Sequence, residues 1–272
     1  MSFAAREKSI ADGAPVRLYL FELGGNQRWA YCTADRAVGM LGITYQPAAI
    51  SDDGIRMTGE ASADTLRITA PADLAVALPW RTVPPSDEVF VTIRDTHHGL
   101  GGTAADSDVV WVGSISGVRW PQDDRCELSC ETLSASMRRP GLKLTYQRSC
   151  PHSVYDAQCK VSRVLHAKPA TITSLDGAAI VHNAAGAGTY AGGFIEWQLS
   201  GRTERRGIDT EAGQKLSLLG GTAGLAVGGN VTLYPGCDGT SAMCHGRFAN
   251  TDNFGGFRHM PGKSPFDGEP VF

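Results

Sequence analysis

The sequence predicts a mainly β protein with one or two β-barrel-like domains. Three observations lead to this fold class. Apolar and polar residues alternate along many short runs, turn-forming residues separate these runs, and only one run has the pattern of a helix. With 272 residues the chain is long enough for one large β domain or two smaller ones, each with an adequate core.

The alternating runs occur in both halves of the chain. They predict strands at residues 16–23, 88–95, 109–120, 142–146, 170–175, 193–199 and 230–234. Turn sequences follow or precede them at residues 24–26, 52–54, 84–87 and 176–177. Residues 70–78 predict one short helix with a proline in its first turn. His97 and His98 lie in a Gly-rich connection and are expected to be solvated rather than to bind metal.

A domain boundary is expected near residues 137–142, because no cysteine pair in a loop precedes it and all candidate ligands follow it. Residues 1–138 are predicted to form an N-terminal β domain. Residues 139–260 are predicted to form a C-terminal β domain that contains a four-cysteine site. Residues 261–272, rich in proline and glycine, are predicted to form an extended tail.

Composition excludes several classes of protein. Hydrophobic residues make up 42% and charged residues 19% of the chain, as in an ordinary globular protein. The net charge of −3 provides no basic surface for nucleic acid, and no run of 18 apolar residues predicts a membrane span. Charged residues at positions 6–8 stand where a signal peptide would be apolar, which predicts folding in a reducing cytoplasm.

Cysteines carry the strongest chemical signal. Four of the seven form what we call the cysteine quartet, in turn-rich segments: Cys150, Cys159, Cys237 and Cys244. The spacings are C-x8-C and C-x6-C, with 77 residues between the pairs. An odd number of cysteines in a reducing compartment argues against disulfides, whereas four thiolates in flexible turns suit an all-cysteine metal site. The donor set alone leaves zinc and an iron–sulfur cluster open, and loops longer than the usual zinc knuckle favour a group larger than one ion.

The other three cysteines have a different environment. Cys126 and Cys130 alternate with polar residues in a strand-like run, and Cys32 lies in a similar run. All three are therefore predicted to be small buried hydrophobic residues and not ligands.

Enzymatic chemistry finds little support. The chain contains no P-loop, no Gly-x-Ser-x-Gly elbow and no His-Glu-x-x-His motif. Cys150 followed by His152 offers a cysteine nucleophile and base, but such a pair needs a free thiolate and leaves three cysteines without a purpose. A cysteine-dependent or iron–sulfur enzyme remains an alternative to a non-enzymatic protein.

Two segments resemble a known family. Residues 150–161, with Cys150 and Cys159, and residues 234–257, with Cys237 and Cys244, are similar to segments of phage minor tail proteins, the tail-tip or baseplate hub proteins of long non-contractile tails. Residues 12–21, 192–197 and 206–209 also resemble parts of that family, in the same order. The resemblance is weakest from about residue 45 to 110.

The resemblance implies a structural virion protein at the tail tip, assembled in a bacterial cytoplasm. It implies a [4Fe–4S] cluster held by the cysteine quartet, while the donor set itself keeps a zinc-stapled binding module as the alternative. It also implies a homotrimer with the distal tail protein, the central fibre or receptor-binding protein, and the end of the tape-measure protein as partners. With such a cluster, His152 and His245 are expected to lie near its negative charge.

Overall fold

Extended strands dominate the chain, which confirms the mainly β class. The computed structural model describes residues 2–24, 27–56, 58, 64–138, 141, 144–185 and 190–260. It divides into two compact units, Met1–Arg139 and Pro140–Phe272. The predicted tail, residues 261–272, lies outside the described residues.

The first unit is built on one sheet. Within the described residues its nine strands are β1 (Pro15–Leu23), β2 (Gln27–Cys32), β3 (Val38–Met40), β4 (Ile43–Pro47), β5 (Ser51–Asp52), β6 (Leu66–Pro71), β7 (Val89–His97), β8 (Ser107–Gln122) and β9 (Arg125–Thr132). They are ordered β3-β4-β2-β1-β7-β8-β9-β6-β5. All neighbours pair antiparallel except β2 and β4, which pair in parallel.

Alternation along these strands determines the core of the first unit. On β9, Cys126, Leu128 and Cys130 are fully buried and pair across to alternate residues of β6. Residues 127, 129 and 131 point to the opposite face and are more exposed. Both cysteines are thus core residues, as predicted, and Cys32 is likewise buried.

The second unit contains a closed barrel. Its strands in the described residues are β10 (Lys168–Asp176), β11 (Ala179–His182), β12 (Phe194–Leu199), β13 (Arg202–Ala212), β14 (Lys215–Leu218) and β15 (Asn230–Tyr234). They are ordered β10-β11-β14-β13-β12-β15, and antiparallel pairing of β15 with β10 closes the ring. Closure leaves no unpaired sheet edge around the barrel. The strands enclose a core of buried aliphatic and aromatic residues: Ile172, Ile180, Tyr190, Ile195, Trp197, Leu216 and Leu233.

Helices are short throughout the described residues. They are α1 (Phe3–Glu7), α2 (Pro79–Thr82), α3 (Arg163–His166) and α4 (Ser241–Phe248), with 3₁₀ turns at Ala104–Asp106, Leu133–Arg138 and Thr251–Asn253. In the part of the chain that the structure describes, no helix has the length and apolar character needed to cross a membrane.

Three local predictions differ from the structure. The helix predicted at residues 70–78 is wrong: Ala70 and Pro71 are the last two residues of β6, with Ala70 opposite Cys126, and turns follow until α2. The described part of the strand predicted at 142–146 is irregular. His97 was expected to be solvated, but it is only 3% exposed. It is the last residue of β7, its Nδ1 accepts a hydrogen bond from Ala14 N, and its Nε2 lies 2.8 Å from Glu7 Oε1.

Candidate metal centre

The fold brings the two cysteine segments together. Cys150 N donates a 2.8 Å hydrogen bond to Gly239 O in the second segment. Asn250 Nδ2 in the second segment donates to Cys159 O at 2.5 Å. All seven cysteines of the chain are free, so the quartet consists of four unpaired thiols.

A close crossing of two backbone segments positions Cys237. Cys237 follows β15 by three residues, and the chain there runs against the segment that leads into β12. A Cβ on Gly193 would lie 2.0 Å from Tyr234 O, and one on Gly236 would lie 1.9 Å from Ala191 O. Because no other side chain fits this crossing, the two glycines bind the cysteine loop tightly to the barrel.

Helix α4 carries Cys244. Its first turn is capped by Thr240, whose Oγ1 accepts a hydrogen bond from Met243 N at 3.1 Å. At the other end Ala249 adopts a left-handed conformation with φ of 46°, and Asn250 N donates to Cys244 O at 3.1 Å. Hydrogen bonds therefore cap both ends of α4, and Cys244 is buried within the second unit.

The loop from Cys150 to Cys159 is shaped by Asp156. Its carboxylate accepts hydrogen bonds from the backbone N–H groups of Ser153, Gln158 and Cys159, at 3.0, 2.9 and 2.6 Å. Partial burial raises the pKa of Asp156, but these donors outweigh burial and lower the pKa below its ordinary value. Asp156 thus fixes the turn that presents Cys159.

Tyr155 anchors the same loop to the barrel. Its hydroxyl donates a 2.8 Å hydrogen bond to Pro235 O, two residues before Cys237. Its ring meets four others in edge or tilted contacts, with centroids 6.1 to 6.3 Å apart: His166, Phe194, Tyr234 and Phe248. Burial raises the pKa of Tyr155, so its hydroxyl stays a neutral donor.

Backbone and side-chain amides surround the sulfur atoms. Gly255 N donates to Cys150 Sγ and Gly239 N donates to Cys237 Sγ, each at 3.4 Å. Asn250 Nδ2 lies 3.8 Å from Cys159 Sγ. Such N–H groups favour thiolates, which are the forms that bind metals.

The four thiols are electrostatic neighbours. Burial raises the pKa of Cys237, as do the nearby Asp238, Cys159 and Cys150, while the N–H of Gly239 lowers it. Burial also raises the pKa of Cys244, and the charges of the other three thiols of the quartet raise it further, while Arg258 lowers it. Like charges disfavour one another, so a bound cation would favour the ionised form of the quartet.

The donor chemistry of four free thiols fits an all-cysteine metal group. Among the described residues, no group of three or more His, Cys, Asp or Glu side chains is arranged to hold a metal ion.

The histidines expected near the quartet differ in position. The ring of His152 lies against Gly255, where a Cβ would be 2.3 Å from His152 Nε2. His245 is exposed on α4, and its Nδ1 lies 3.3 Å from Thr251 Oγ1. Of the two, only His152 packs on a residue that contacts a sulfur atom of the quartet.

Sequence reasoning missed two residues of this region. Asn250 and Tyr155 hold the cysteine segments, yet neither belongs to a metal-ligand pattern. The available signal for Asn250 was its place directly after a short helix, where Asn and Gly commonly end helices. No local pattern distinguishes Tyr155 from other loop tyrosines.

Comparisons with known proteins point to phages. A family described as "Phage conserved hypothetical protein BR0599" matches residues 188–264, which include Cys237 and Cys244. No curated protein matches the sequence. The chain is similar to one in the solved structure described as "Virion of native gene transfer agent (GTA) particle", with a TM-score of 0.80 and 18% identity. That similarity covers 100% of this chain and 99% of the other, and at this identity it shows a shared fold.

Proposed function

We propose that this chain is a structural protein of a phage-type virion, located at the tail tip as a hub protein. The observation that carries the proposal is the similarity in fold, over the whole chain, to a chain of a gene transfer agent virion. The phage-conserved family that matches residues 188–264 supports it independently. The resemblance of both cysteine segments to tail-tip proteins supports the finer location.

We further propose that the cysteine quartet binds a [4Fe–4S] cluster. Support comes from the four free thiols gathered from both segments and from the N–H donors around their sulfur atoms. When bound, the cluster supplies iron–thiolate bonds that cross-link the segments. Closing the 77-residue connection between Cys159 and Cys237 in the unfolded chain corresponds to about 4–5 kcal/mol of stabilisation.

A mechanical role is sufficient to explain such a cross-link. The stabilisation is comparable with the net stability of a whole domain, about 5–15 kcal/mol. We therefore propose a protein that is not an enzyme. Its partners would be two further copies of itself in a homotrimer, the distal tail protein, the central fibre or receptor-binding protein, and the tape-measure protein.

Metal analysis tests the cluster. Protein purified without oxygen should be brown and contain about four iron and four sulfide ions per chain, the stoichiometry of a [4Fe–4S] cluster bound by four cysteines. Replacing any member of the quartet with serine should remove the colour, whereas Cys126→Ser should retain it. Colourless protein with one zinc ion per chain would establish the zinc alternative instead. Full iron content in Cys237→Ser would refute the ligand assignment.

Two experiments test the role. Immunogold electron microscopy of particles should place the label at the tail tip, and label elsewhere would contradict the hub proposal. The purified protein should show no hydrolysis of cell-wall peptides above background. Hydrolysis that disappears specifically in Cys150→Ala would support the cysteine-dependent enzyme.

A further inference from the structure

Asn250 contacts both cysteine segments, one through its backbone and the other through its side chain. Its backbone N–H donates to Cys244 O at the end of α4, and its side-chain amide donates to Cys159 O, 91 positions away in sequence. The same amide nitrogen lies 3.8 Å from Cys159 Sγ. Asn250 is half-buried, which limits competition from water for these bonds.

The orientation of the amide follows from its partners. Cys159 O is only an acceptor, so the Asn250 NH₂ group must face it. Asn253 Nδ2 donates to Asn250 Oδ1 at 2.7 Å and holds the other half of the amide. The NH₂ group is thereby fixed beside the sulfur atom of Cys159.

Backbone geometry alone does not require asparagine at this position. Asn250 has a φ of −118° and a ψ of 34°, and L residues commonly adopt a negative φ of this kind. The left-handed conformation that favours Gly or Asn occurs one residue earlier, at Ala249. The backbone N–H bond to Cys244 is available to any residue except proline. The identity of the side chain is therefore explained by its contacts with Cys159.

Ligation changes which of these contacts persist. In the free thiol state Cys244 Sγ donates to Asn250 O at 3.2 Å, but a thiolate has no proton to donate. The side-chain amide, in contrast, is a better donor to a thiolate than to a thiol, because charge strengthens the bond. It thus remains the favourable contact of Asn250 with the quartet once the thiols ionise.

We propose that Asn250 is a positioning residue of the metal centre, whose amide orients Cys159 and donates an N–H bond to its thiolate. This inference rests on the proposed metal-binding role of the quartet. Residues that hold a ligand in this way typically alter metal affinity 10- to 100-fold when replaced. The expected effect of losing the amide is therefore release of iron to a chelator about 10-fold faster.

Two variants and one control test the proposal. Asn250→Asp keeps the shape and the acceptor for Asn253 but removes the NH₂ group, and Asn250→Ala removes the amide without adding charge. Asn183→Asp makes the same chemical change in the barrel, where Asn183 Oδ1 accepts from Thr171 N and a carboxylate can replace it. Both Asn250 variants should release iron faster and shift the Fe–S(Cys) stretching bands in resonance Raman spectra, while Asn183→Asp should match the parent.

A second readout is independent of the cluster. In the reduced, metal-free chain, deuterium labelling of the backbone around Cys159, measured by mass spectrometry, should be several-fold faster in both Asn250 variants, because the bond from the amide to Cys159 O is lost. If the parent contains no iron and sulfide, the cluster proposal fails, and this labelling still tests the role of Asn250. Parent-like iron release, Raman bands and labelling in both variants would overturn the inference. An effect in Asn250→Asp alone would also overturn it, because added charge would then be the cause.

Discussion

Tyr155 offers a direct test of how the first cysteine loop is held. Its hydroxyl donates to Pro235 O at 2.8 Å, and its ring packs among four aromatic rings between the barrel and α4. Replacing Tyr155 should therefore loosen the loop from Cys150 to Cys159 while leaving the barrel strands intact.

The two parts of the side chain predict different costs. Tyr155→Phe leaves the buried carbonyl of Pro235 without this donor, which should lower the free energy of unfolding by about 1–2 kcal/mol. Tyr155→Ala also removes the ring. A fully buried aromatic ring is worth about 3–5 kcal/mol, and because Tyr155 is half-buried we expect the alanine variant to lose about 2–3 kcal/mol.

The assay uses the reduced, metal-free chain, so that the result does not depend on the cluster. Urea unfolding followed by hydrogen-exchange mass spectrometry should show the loss in residues 144–260, and Cys150 and Cys159 should be alkylated faster. Tyr146→Phe is the matched control, because Tyr146 is 69% exposed and its replacement should change stability by less than about 0.5 kcal/mol. Parent-like unfolding and labelling in Tyr155→Ala would show that Tyr155 does not hold this loop.

Three further predictions concern the same unit. Gly236→Ala should lower the urea midpoint strongly, because its Cβ would lie 1.9 Å from Ala191 O. The control Gly246→Ala, which places a Cβ in open space on α4, should raise the free energy of unfolding by about 0.5–1 kcal/mol. Equal urea midpoints for the two variants would contradict the close crossing at Gly236. Burial lowers the pKa of His182, although the nearby Glu211 raises it. As the pH falls below about 6.5, the unfolded chain therefore takes up a proton before the folded chain does. The free energy of unfolding then decreases by at most about 1.4 kcal/mol per pH unit. His182→Leu should therefore show a weaker loss between pH 7.5 and 5.5, and an unchanged pH dependence would argue against this assignment. A chain that ends at residue 261 should keep its iron, because the described N–H donors to the quartet's sulfur atoms belong to residues up to Gly255. Loss of the brown colour in that chain would show that residues 262–272 are needed to hold the cluster.

Several features followed from local sequence alone. Six of the seven predicted strand ranges contain strands, and alternation also predicted the burial of Cys126 and Cys130. The reason is that a strand side chain faces the core at every second position whatever its partner strand is. The turn-rich surroundings of the quartet likewise marked these cysteines as a separate class. Local pattern was misleading at residues 70–78, where a helix was predicted, because Ala70 belongs to β6 and pairing with β9 stabilises that strand.

The mainly β class, the alternating faces of the strands and the four candidate ligands could all be predicted from local sequence patterns. The closure of the barrel by β15 and β10, the burial of His97 and the residues that hold the cysteine loops became known only from the folded structure. Asn250 and Tyr155 contact residues 91 and 80 positions away. Strand periodicity is a property of neighbouring residues, whereas these contacts depend on how the whole chain folds, so no local pattern could reveal them.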